Sequence, residues 1–560
     1  MWSLLIFLVA FSVTEVLGEH ILIFHHVASY SHRVQTMPLA EALSKRGHQV
    51  TFLSPFYPKE PNPNITEIIP QKLEKYIDET LNREFDINLR VQNKMEQLSA
   101  IAYELGKDAC EALYKSPEFK RWLKKTNKVD LLIIDSCLPE CGIGLAYKLG
   151  AKYAIFNTVT IVGHEYDAFG FLPESSAVPE LEINSPKPPM NFLGRVSNEL
   201  VTLGWRWSHF QYSKIMDSMI RKSLLVPEMP YIEDLYRNVS LILHTGDAVT
   251  DYPRTLPPLY VNVAGIHCKS SEKISLPVNL ELFLNTTVKG HKDDGFVYIS
   301  LGSLVVSSNL PQNIKNRFFD TIKSFPNLKF LWKWNGVQPK DIPSNLFLSQ
   351  WFPQLDILGA CVPSFFSTTF KILLSHLDND KFNVKFIWLI SAHPRIRGFI
   401  TQSGRPSAME ALYNGVPMIS FPILGDQDFN SHRINKMGGN VELEIGSFTS
   451  EELISAVTTL VYEPSMKLQM KRLQNIFRDR PMTPVDTAVW WTEYVLRTED
   501  TSHLRPTGND QYWFQRRQLD VWLFLLAVML VATYVLTVLS ILAARMMWKQ
   551  MNTSSKLKLA

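Results

Sequence analysis

The sequence predicts an α/β protein in which two doubly wound domains face each other across a cleft, followed by a C-terminal transmembrane helix. Three observations support this fold class. Short apolar strands alternate with helical patterns in both halves of the 560-residue chain, which is too long for one compact core. A polar, proline-containing segment, residues 269–294, separates the halves. An uncharged apolar run of 24 residues, Val521–Ala544, is long enough to cross a membrane.

The N-terminal half begins as a βαβ unit, in which a helical pattern lies between two strands and ends at Gly47. Because strands alternate with helices, we expect a parallel sheet that is covered on both faces. The predicted strands of this half are His20–Phe24, Gln49–Leu53, Asp130–Asp135, Lys152–Phe156 and Val239–His244.

The alternation restarts after residue 294. The predicted strands of the second half are Phe296–Ser300, Leu328–Trp332 and Met418–Phe421, and a further strand ends at Thr401. Ligands of doubly wound folds bind beyond the carboxyl ends of the strands, so we expect the functional site in the cleft.

The two ends of the chain predict a lumenal protein with a single membrane span. Residues 1–18 are nearly all apolar, are too short to span comfortably and end in small residues. They indicate a signal peptide removed after Gly18, with an N-terminal membrane anchor as the alternative. Basic residues after the apolar run place the tail in the cytosol. Lys556 and Lys558 resemble a dilysine retrieval signal of the endoplasmic reticulum, or they form an ordinary basic flank.

Composition and motif spacing argue against several classes of protein. The net charge of +3, without a basic block, indicates no nucleic-acid partner. The missing G-x-G-x-x-G fingerprint argues against a nicotinamide-dependent oxidoreductase, and no nucleoside-triphosphatase loop is present. Cys137 and Cys141 lack a matching Cys or His pair, so we predict no metal site and no disulfide framework. Asn64, Asn238 and Asn285 begin predicted lumenal glycosylation sequons.

His32 and Asp135 are candidate catalytic residues. His32 follows the first strand and Asp135 ends a later strand, and parallel strands end at the same edge of a sheet. A carboxylate bonded to one imidazole nitrogen fixes the tautomer and stabilises the imidazolium, which gives a dyad able to activate a hydroxyl. The alternative is a structural histidine, because His25, His26 and His48 lie nearby in the sequence.

The second half carries residues suited to a nucleotide sugar. Gly302 and Ser303 follow a strand, where backbone amides can approach a phosphate. Gly404 and Ser407 stand at a predicted helix N-terminus that also suits phosphate, and Glu410 lies one turn further on for a ribose diol.

The segment from Trp351 to Asn430 completes this chemistry. Trp351 offers an aromatic face for a base, and Asp426 with Gln427 offers hydrogen bonds to sugar hydroxyls. Together these motifs resemble those of the UDP-glycosyltransferase family, in particular those of UDP-glucuronosyltransferases. The matching motifs are Trp351-Phe-Pro-Gln354, Gly404-x-x-Ser407-x-x-Glu410, Gly415-Val-Pro417 and Asp426-Gln427-x-x-Asn430, together with Ser31-His32, Tyr252-Pro-Arg254, the single span and the tail.

The resemblance covers nearly the whole chain and implies a membrane-bound, endoplasmic-reticulum detoxification enzyme of the GT-B type with two Rossmann-like domains. Such an enzyme would transfer a hexose, glucose or glucuronate, from a UDP-sugar to a hydroxyl of a small lipophilic acceptor with inversion. It would use no metal or other cofactor, and a homo-oligomer stays open. The implied divisions are residues 1–18, signal peptide; 19–268, acceptor-binding domain; 269–294, linker; 295–475, UDP-sugar-binding domain; 476–520, C-terminal helices; 521–544, transmembrane helix; and 545–560, cytosolic tail.

The resemblance also implies roles for individual residues. His32 would be the general base and Asp135 would orient it. Trp351 would stack on uracil. The remaining UDP-sugar contacts would come from Gly302, Ser303, Gln354, Gln402, Gly404, Ser407, Glu410, Asp426 and Gln427.

Three departures from the family pattern stand in the donor segment. Gln402 replaces a frequent histidine and Ser403 replaces a usual glycine. Residues 360–392 exceed the family's spacing, and their apolar, aromatic composition is poor for an exposed loop. This composition favours a retained intron, while chain entropy alone would permit a genuine loop. If the insertion is present in the protein, a membrane-anchored, inactive or binding-only homologue is the alternative function.

Overall fold

The computed structural model describes residues 18–27, 29–84, 87–92, 98–126, 128–181, 187–269, 276–286, 294–303, 305–359 and 395–557. The predicted signal peptide, apart from Gly18, and the insertion 360–392 lie outside the described residues.

The N-terminal half forms a seven-stranded sheet whose strands are all parallel, in the order β3-β2-β1-β4-β5-β6-β7. The strands are β1 His20–Phe24, β2 Gln49–Leu53, β3 Ile65–Ile68, β4 Leu131–Asp135, β5 Lys152–Asn157, β6 Leu241–His244 and β7 Tyr260–Asn262. The central strand β4 is buried along its whole length, as its uninterrupted apolar sequence predicts.

The C-terminal half forms a six-stranded parallel sheet in the order β10-β9-β8-β11-β12-β13. Its strands are β8 Phe296–Ser300, β9 Lys329–Lys333, β10 Leu346–Ser349, β11 Ile396–Thr401, β12 Met418–Ser420 and β13 Asn440–Glu442. The prediction of two doubly wound parallel sheets is confirmed, and both sheets have the crossover order of a Rossmann-like fold.

Helices cover both sheets. Those of the N-terminal half are α1 Tyr30–Lys45, α2 Gln71–Glu84, α3 Asn88–Val91, α4 Leu98–Lys115, α5 Pro117–Lys125, α6 Glu140–Leu149, α7 Gly163–Ala168, α8 Phe192–Leu224 and α9 Ile232–Tyr236. Those that follow are α10 Val278–Asn285, α11 Gln312–Lys323, α12 Gln354–Leu358, α13 Arg405–Asn414, α14 Gln427–Lys436, α15 Ser450–Tyr462, α16 Pro464–Arg478, α17 Pro484–Arg497, α18 Trp513–Arg516 and α19 Leu519–Leu557. Helix α10 lies in the predicted linker, and its Leu280 and Leu284 join the second core.

The C-terminal helices return to the first sheet. Ala488, Val489 and Val495 of α17 are buried in the core beneath the N-terminal strands. On the outside of α17, Glu493 accepts hydrogen bonds from Arg46, which caps the C-terminus of α1. The end of the chain before the membrane helix therefore packs on the N-terminal half.

The prediction that the chain has no disulfide is wrong. Cys110 of α4 and Cys141 of α6 form a disulfide, with their Cα atoms 5.8 Å apart. The two helices pack together inside the first core, where the Tyr114 hydroxyl also donates to the carbonyl of Cys141. The 31-residue separation gives no local spacing signal, so this pairing depends on tertiary packing.

Helix α19 carries the only segment of the described chain that is long and apolar enough to cross a membrane, Leu519–Asn552, with mean hydropathy 2.6. The predicted span 521–544 lies within it. Helix α8 also has exposed aromatic side chains, since Trp207 and Phe192 are more than 60% exposed. Core packing therefore does not explain these two side chains, whereas Trp205 does pack against the first core.

A buried ion pair connects the two halves. Arg90 donates to both carboxylate oxygens of Asp428 at 2.7 and 2.9 Å, and it also donates to Glu444. The side chains of Arg90 and Asp428 are 6% and 8% exposed. Nearby, Ile87 is buried in the second core, so this short N-terminal segment is anchored in the C-terminal half.

We expect the Arg90→Met substitution to lower the free energy of unfolding by about 3 kcal/mol, because it leaves the Asp428 carboxylate buried without its partner. The double variant with Asp428→Asn should recover part of the loss. Arg121→Met is the matched control, since Arg121 is 71% exposed beside Glu118 and surface pairs contribute about 1 kcal/mol or less. Thermal unfolding checks this, and equal midpoints for the Arg90 and Arg121 variants would contradict it.

Candidate active site

His32 and Asp135 meet at the carboxyl end of the first sheet. His32 lies in the first turn of α1, and its Nδ1 is 2.9 Å from Oδ2 of Asp135, which ends β4. The Thr158 hydroxyl lies 2.8 Å from the same Nδ1 and donates to Asp135 Oδ2 at 3.1 Å. The predicted contact is confirmed. With Nδ1 directed to the carboxylate, Nε2 is the nitrogen left to accept a proton.

The electrostatics distinguish His32 from its neighbours. Burial lowers the pKa of His32, but the charge and hydrogen bond of Asp135 outweigh burial and raise the pKa above its usual 6.5, with Asp426 acting in the same direction. Burial lowers the pKa of both His25 and His26 to about 4. These two imidazoles are therefore neutral at physiological pH, and only His32 has a buried carboxylate as its direct partner.

Asp130, at the opposite end of β4, has a structural role. Its Oδ2 accepts the backbone N–H of His20 at 2.8 Å, and its side chain also pairs with Lys128. It lies at the amino edge of the sheet, away from His32 and Asp135, as the strand direction predicts.

In the second half, three of the predicted donor residues form one hydrogen-bonded group. The Gln354 amide donates to Glu410 Oε2 at 2.7 Å and lies 3.0 Å from Ser407 Oγ. The Tyr298 hydroxyl donates to Gln354 Oε1 at 3.2 Å. Burial raises the pKa of Glu410 to about 7, although the hydrogen bond from Gln354 lowers it.

The two turns that are predicted to bind phosphate, one at Gly302 and one at Gly404, lie against each other. Gly302 has a φ of +85°, and a side chain at this position would collide with Gln402. Ser303 beside it is exposed, and Gly404 precedes the first turn of α13. Ser403 has a φ of +62°, the left-handed region that favours the glycine of the family pattern. Its carbonyl accepts a hydrogen bond from Asn430 at 3.1 Å, which fixes the turn.

Two lysines lie beside these turns. Lys333 of β9 donates to the Gly302 carbonyl at 3.0 Å, and burial together with the charge of Lys59 lowers its pKa to about 8. Lys59 comes from the N-terminal half, and its Nζ is 5.2 Å from the ring centroid of Trp351. Trp351 itself is 53% exposed, so its ring is accessible to solvent.

Asp426 is the N-cap of α14 and Gln427 is its first residue, and both side chains are buried. Asp426 Oδ2 accepts from Asn430 at 3.0 Å and lies 3.4 Å from Arg405 Nε. Gln427 Oε1 accepts the backbone N–H groups of Ile423 and Leu424, so its amide nitrogen is the part available to a ligand.

Four residues near the predicted site were not found by sequence reasoning: Thr158, Lys59, Lys333 and Arg405. Thr158 gives no signal because its role depends on a contact with His32 across 126 positions. Lys333 directly follows the predicted strand Leu328–Trp332 and ends β9, and that placement alone was an available hint. No group of three potential metal-ligating side chains occurs among the described residues, so the prediction of no metal stays a prediction.

The family description "UDP-glucoronosyl and UDP-glucosyl transferase" matches residues 20–368 and 384–554. The chain belongs to this family. It is therefore an enzyme that transfers a sugar from a UDP-sugar donor. The stretch between the two matched segments, 369–383, lies inside the predicted insertion 360–392.

The curated relatives of this transferase have names that belong to the same family. UDP-glucuronosyltransferase 1A7 of Mus musculus is 28% identical over 515 residues, covering 90% of this chain and 88% of the relative. UDP-glucosyltransferase 2 of Dactylopius coccus is 29% identical over 504 residues, covering 88% of each.

Solved structures show the same fold. The kitacinnamycin glycosyltransferase matches 85% of this chain and 99% of its own with a TM-score of 0.52 at 14% identity. A Polygonum tinctorium UDP-glucosyltransferase capable of glucosylating indoxyl matches 87% of this chain and 100% of its own, with a TM-score of 0.53 at 13% identity. The expected GT-B architecture of the transferase is confirmed.

We expect Ser403→Gly to stabilise the protein by about 1 kcal/mol, because glycine adopts a positive φ without the steric cost that serine bears. Ser324→Gly is the matched control. Its φ is −72°, so the same exchange should destabilise by about 0.5–1 kcal/mol. Thermal unfolding of both variants measures the difference, and a destabilised Ser403→Gly protein would contradict the assignment of strain.

Proposed function

We propose that the enzyme moves a hexose, glucose or glucuronate, from UDP to a hydroxyl of a small lipophilic acceptor, with inversion at the anomeric carbon. The contact between His32 and Asp135 at the cleft is the observation that carries this proposal. The charge of Asp426, from the donor half, raises the pKa of the same imidazole. A base and a sugar-binding carboxylate from opposite halves are therefore within electrostatic reach of each other.

In this mechanism the acceptor hydroxyl binds beside Nε2 of His32. As the acceptor oxygen attacks the anomeric carbon, Nε2 takes its proton, and the bond from that carbon to the UDP oxygen breaks. Asp135 stabilises the imidazolium that forms, and its position at 2% exposure keeps water from screening the interaction. Attack opposite to the leaving group inverts the configuration.

The donor nucleotide is proposed to lie across the second half. The exposed ring of Trp351 suits uracil, and Glu410 beside Gln354 suits the ribose hydroxyls. Gly302, Gly404 and Ser407 surround the expected diphosphate position, with the N-terminus of α13 directed at it. Gln402 carries no charge, whereas Lys333 and Lys59 supply cations nearby. These groups support diphosphate departure with no metal ion.

Aromatic side chains support a lipophilic acceptor. Tyr103 of α4 lies 4.7 Å from Tyr212 of α8 and 6.2 Å from Trp205, centroid to centroid. A side chain at Gly106 would contact both Tyr212 and Leu138, three residues after Asp135. These aromatic side chains are packed in the first core beside the loop that follows Asp135, and the lipophilic acceptor is proposed to bind against this part of the core.

The proposed location is the membrane of the endoplasmic reticulum, with both domains in the lumen and a short cytosolic tail. The apolar helix α19 supports a membrane anchor. Asn64, Asn238 and Asn285 are exposed, as lumenal glycosylation requires, and the disulfide between Cys110 and Cys141 fits an oxidising compartment.

We expect His32→Ala to lower kcat/KM at least ~10²-fold while UDP affinity stays unchanged, because only the proton transfer is lost. The assay uses microsomes, UDP-glucose or UDP-glucuronate and a panel of phenols. In the unmodified enzyme, activity should fall as the pH drops through a value above 6.5, the usual pKa of histidine.

His503→Ala is the control for this change, since His503 is exposed on the surface beside Tyr494. Retained activity in His32→Ala would refute the proposed base. The same assay on a chain lacking residues 360–392 tests the binding-only alternative. If the shortened chain transfers sugar and the full-length chain does not, the insertion is the cause of the inactivity.

Glu410 makes donor binding dependent on pH. The ribose hydroxyls need an ionised acceptor, and the carboxyl protonates as the pH falls below its pKa of about 7. We expect UDP-glucose to bind about 10-fold more weakly at pH 6 than at pH 8. Glu410→Gln should bind with little dependence on pH. Calorimetry measures both, and a flat profile for the unmodified enzyme would contradict the role.

The raised pKa of Glu410 affects folding stability in the opposite direction from donor binding. Since the folded pKa of about 7 exceeds the unfolded value of 4.5, the folded protein holds the proton more tightly. The contribution to stability is therefore present at low pH and is lost as the pH rises from 4.5 to 7. Donor binding thus favours the ionised form of the Glu410 carboxyl, whereas folding favours its protonated form.

A further inference from the structure

Helix α8 carries a stripe of exposed apolar side chains opposite its buried face. The buried face includes Asn198, His209 and Met216, which point toward the rest of the N-terminal half. The exposed apolar side chains follow one another at intervals of three and four residues, so they share one face of the helix. At 1.5 Å per residue, this stripe is about 25 Å long. Its members are Leu193, Val196, Leu200, Leu203, Trp207 and Phe210, with Phe192 beside its first turn.

The charges around the α8 stripe are almost entirely positive. Glu199 is the only acidic residue between Phe192 and Lys214. Lys214 Nζ lies 4.0 Å from the ring centroid of Phe210 at one end, and the Arg195 guanidinium lies 5.9 Å from that of Phe192 at the other. An apolar face with aromatic residues and flanking cations is typical of a helix that lies on a lipid surface, because the cations reach the headgroups.

Asp167 of α7 joins α8 to the segment that enters the membrane. Its carboxylate pairs with Arg206 of α8. Oδ1 of the same carboxylate accepts hydrogen bonds from Arg516 at 3.2 Å and from Arg517 at 3.0 Å. The Arg206 guanidinium also lies 4.9 Å from the ring centroid of Trp513. Because the apolar helix α19 begins two residues after Arg517, the middle of α8 is held beside the end at which α19 enters the membrane.

The segment before α19 indicates what covers the α8 stripe. Tyr512, Trp513 and Phe514 are exposed, and aromatic side chains next to a membrane span lie at the level of the lipid headgroups. Since Arg206 contacts Trp513, the adjacent Trp207 of the stripe lies near the same level. A seam between two copies of α8 would show the same spacing of three and four residues. The position beside the membrane helix favours lipid over a second copy.

We propose that the α8 stripe lies in the lumenal surface of the bilayer as a second membrane contact, and that Asp167 with Arg206, Arg516 and Arg517 holds it there. This inference rests on the proposed anchoring of the chain by α19. Acyl chains would cover the apolar side chains, and the headgroup phosphates would meet the cations at the two ends of the stripe. A large apolar surface of this kind marks an interaction site.

Photochemical capture identifies the occupant of the stripe. The full-length enzyme is reconstituted in phosphatidylcholine vesicles with the photoreactive residue benzoylphenylalanine at Leu200, at Val531 within the span, or at Lys72. Lys72 is the control because it is exposed on α2, away from the stripe. After illumination, mass spectrometry identifies the captured molecule. We expect at least about fivefold more lipid captured from Leu200 than from Lys72, and a level similar to that from Val531.

The contacts of Asp167 are tested in the same vesicles. Asp167→Asn should lower lipid capture from Leu200 about threefold, because it weakens the attachment of α8 to the membrane-entry segment, and capture from Val531 should not change. Arg206→Met should act in the same way. Glu111→Gln is the control, since Glu111 pairs with Lys115 on the surface of α4. Unfolding midpoints verify that each variant is folded.

Several results would overturn the proposal. Capture of a second copy, or of another part of the same chain, from Leu200 would show that protein covers the stripe. Lipid capture from Leu200 no higher than from Lys72 would show that water covers it. Unchanged capture from Leu200 in both Asp167→Asn and Arg206→Met would remove the role of Asp167. Lipid capture from Val531 alone would refute this inference and leave the anchor standing, whereas no lipid capture from either position would refute both.

Discussion

The buried ion pair between Arg90 and Asp428 holds the two halves of the molecule together, and the proposed active site depends on such contacts because neither half contains all of its residues. His32 and Asp135 belong to the first sheet, and Asp426 and Glu410 belong to the second. Asp428 lies two residues after Asp426 on α14. This ion pair therefore also restrains the start of the helix beside the proposed sugar-binding residues, and the burial of Ile87 in the second core strengthens the contact.

Burial shifts the pKa values of the ionisable groups in this cleft, and the partner of each group determines the direction of the shift. His25, His26 and His32 are close in sequence and all are shielded from solvent. Only His32 gains a carboxylate partner, so its pKa rises while those of its neighbours fall. Glu410 has an amide partner in place of a cation, so burial dominates and raises its pKa. Similar environments thus produce one imidazole with a raised pKa, two neutral imidazoles and a carboxyl that ionises near neutrality.

The sequence predicts the strands that are fully buried, because an uninterrupted apolar run is a strong signal. It predicts the contact of His32 with Asp135 for a related reason, since parallel strands must end at one edge. The edge strands β3, β7, β10 and β13 have three or four residues each, with polar positions, and leave no such pattern. The disulfide of Cys110 and the contacts of Lys59 and Arg405 join segments far apart in the chain. Such contacts follow from packing, which no local pattern encodes.

The departures in the donor turn change where the proposed mechanism obtains its positive charge. Gln402 replaces a residue that can be charged, and its side chain lies against Gly302. Lys333 reaches the same glycine from β9, and Lys59 approaches from the opposite half of the molecule. Stabilisation of a departing diphosphate would therefore depend partly on a residue of the N-terminal half. Arg405 beside the proposed diphosphate contacts also pairs with Asp251 of the N-terminal half, so we expect donor binding to depend on how closely the two halves approach each other.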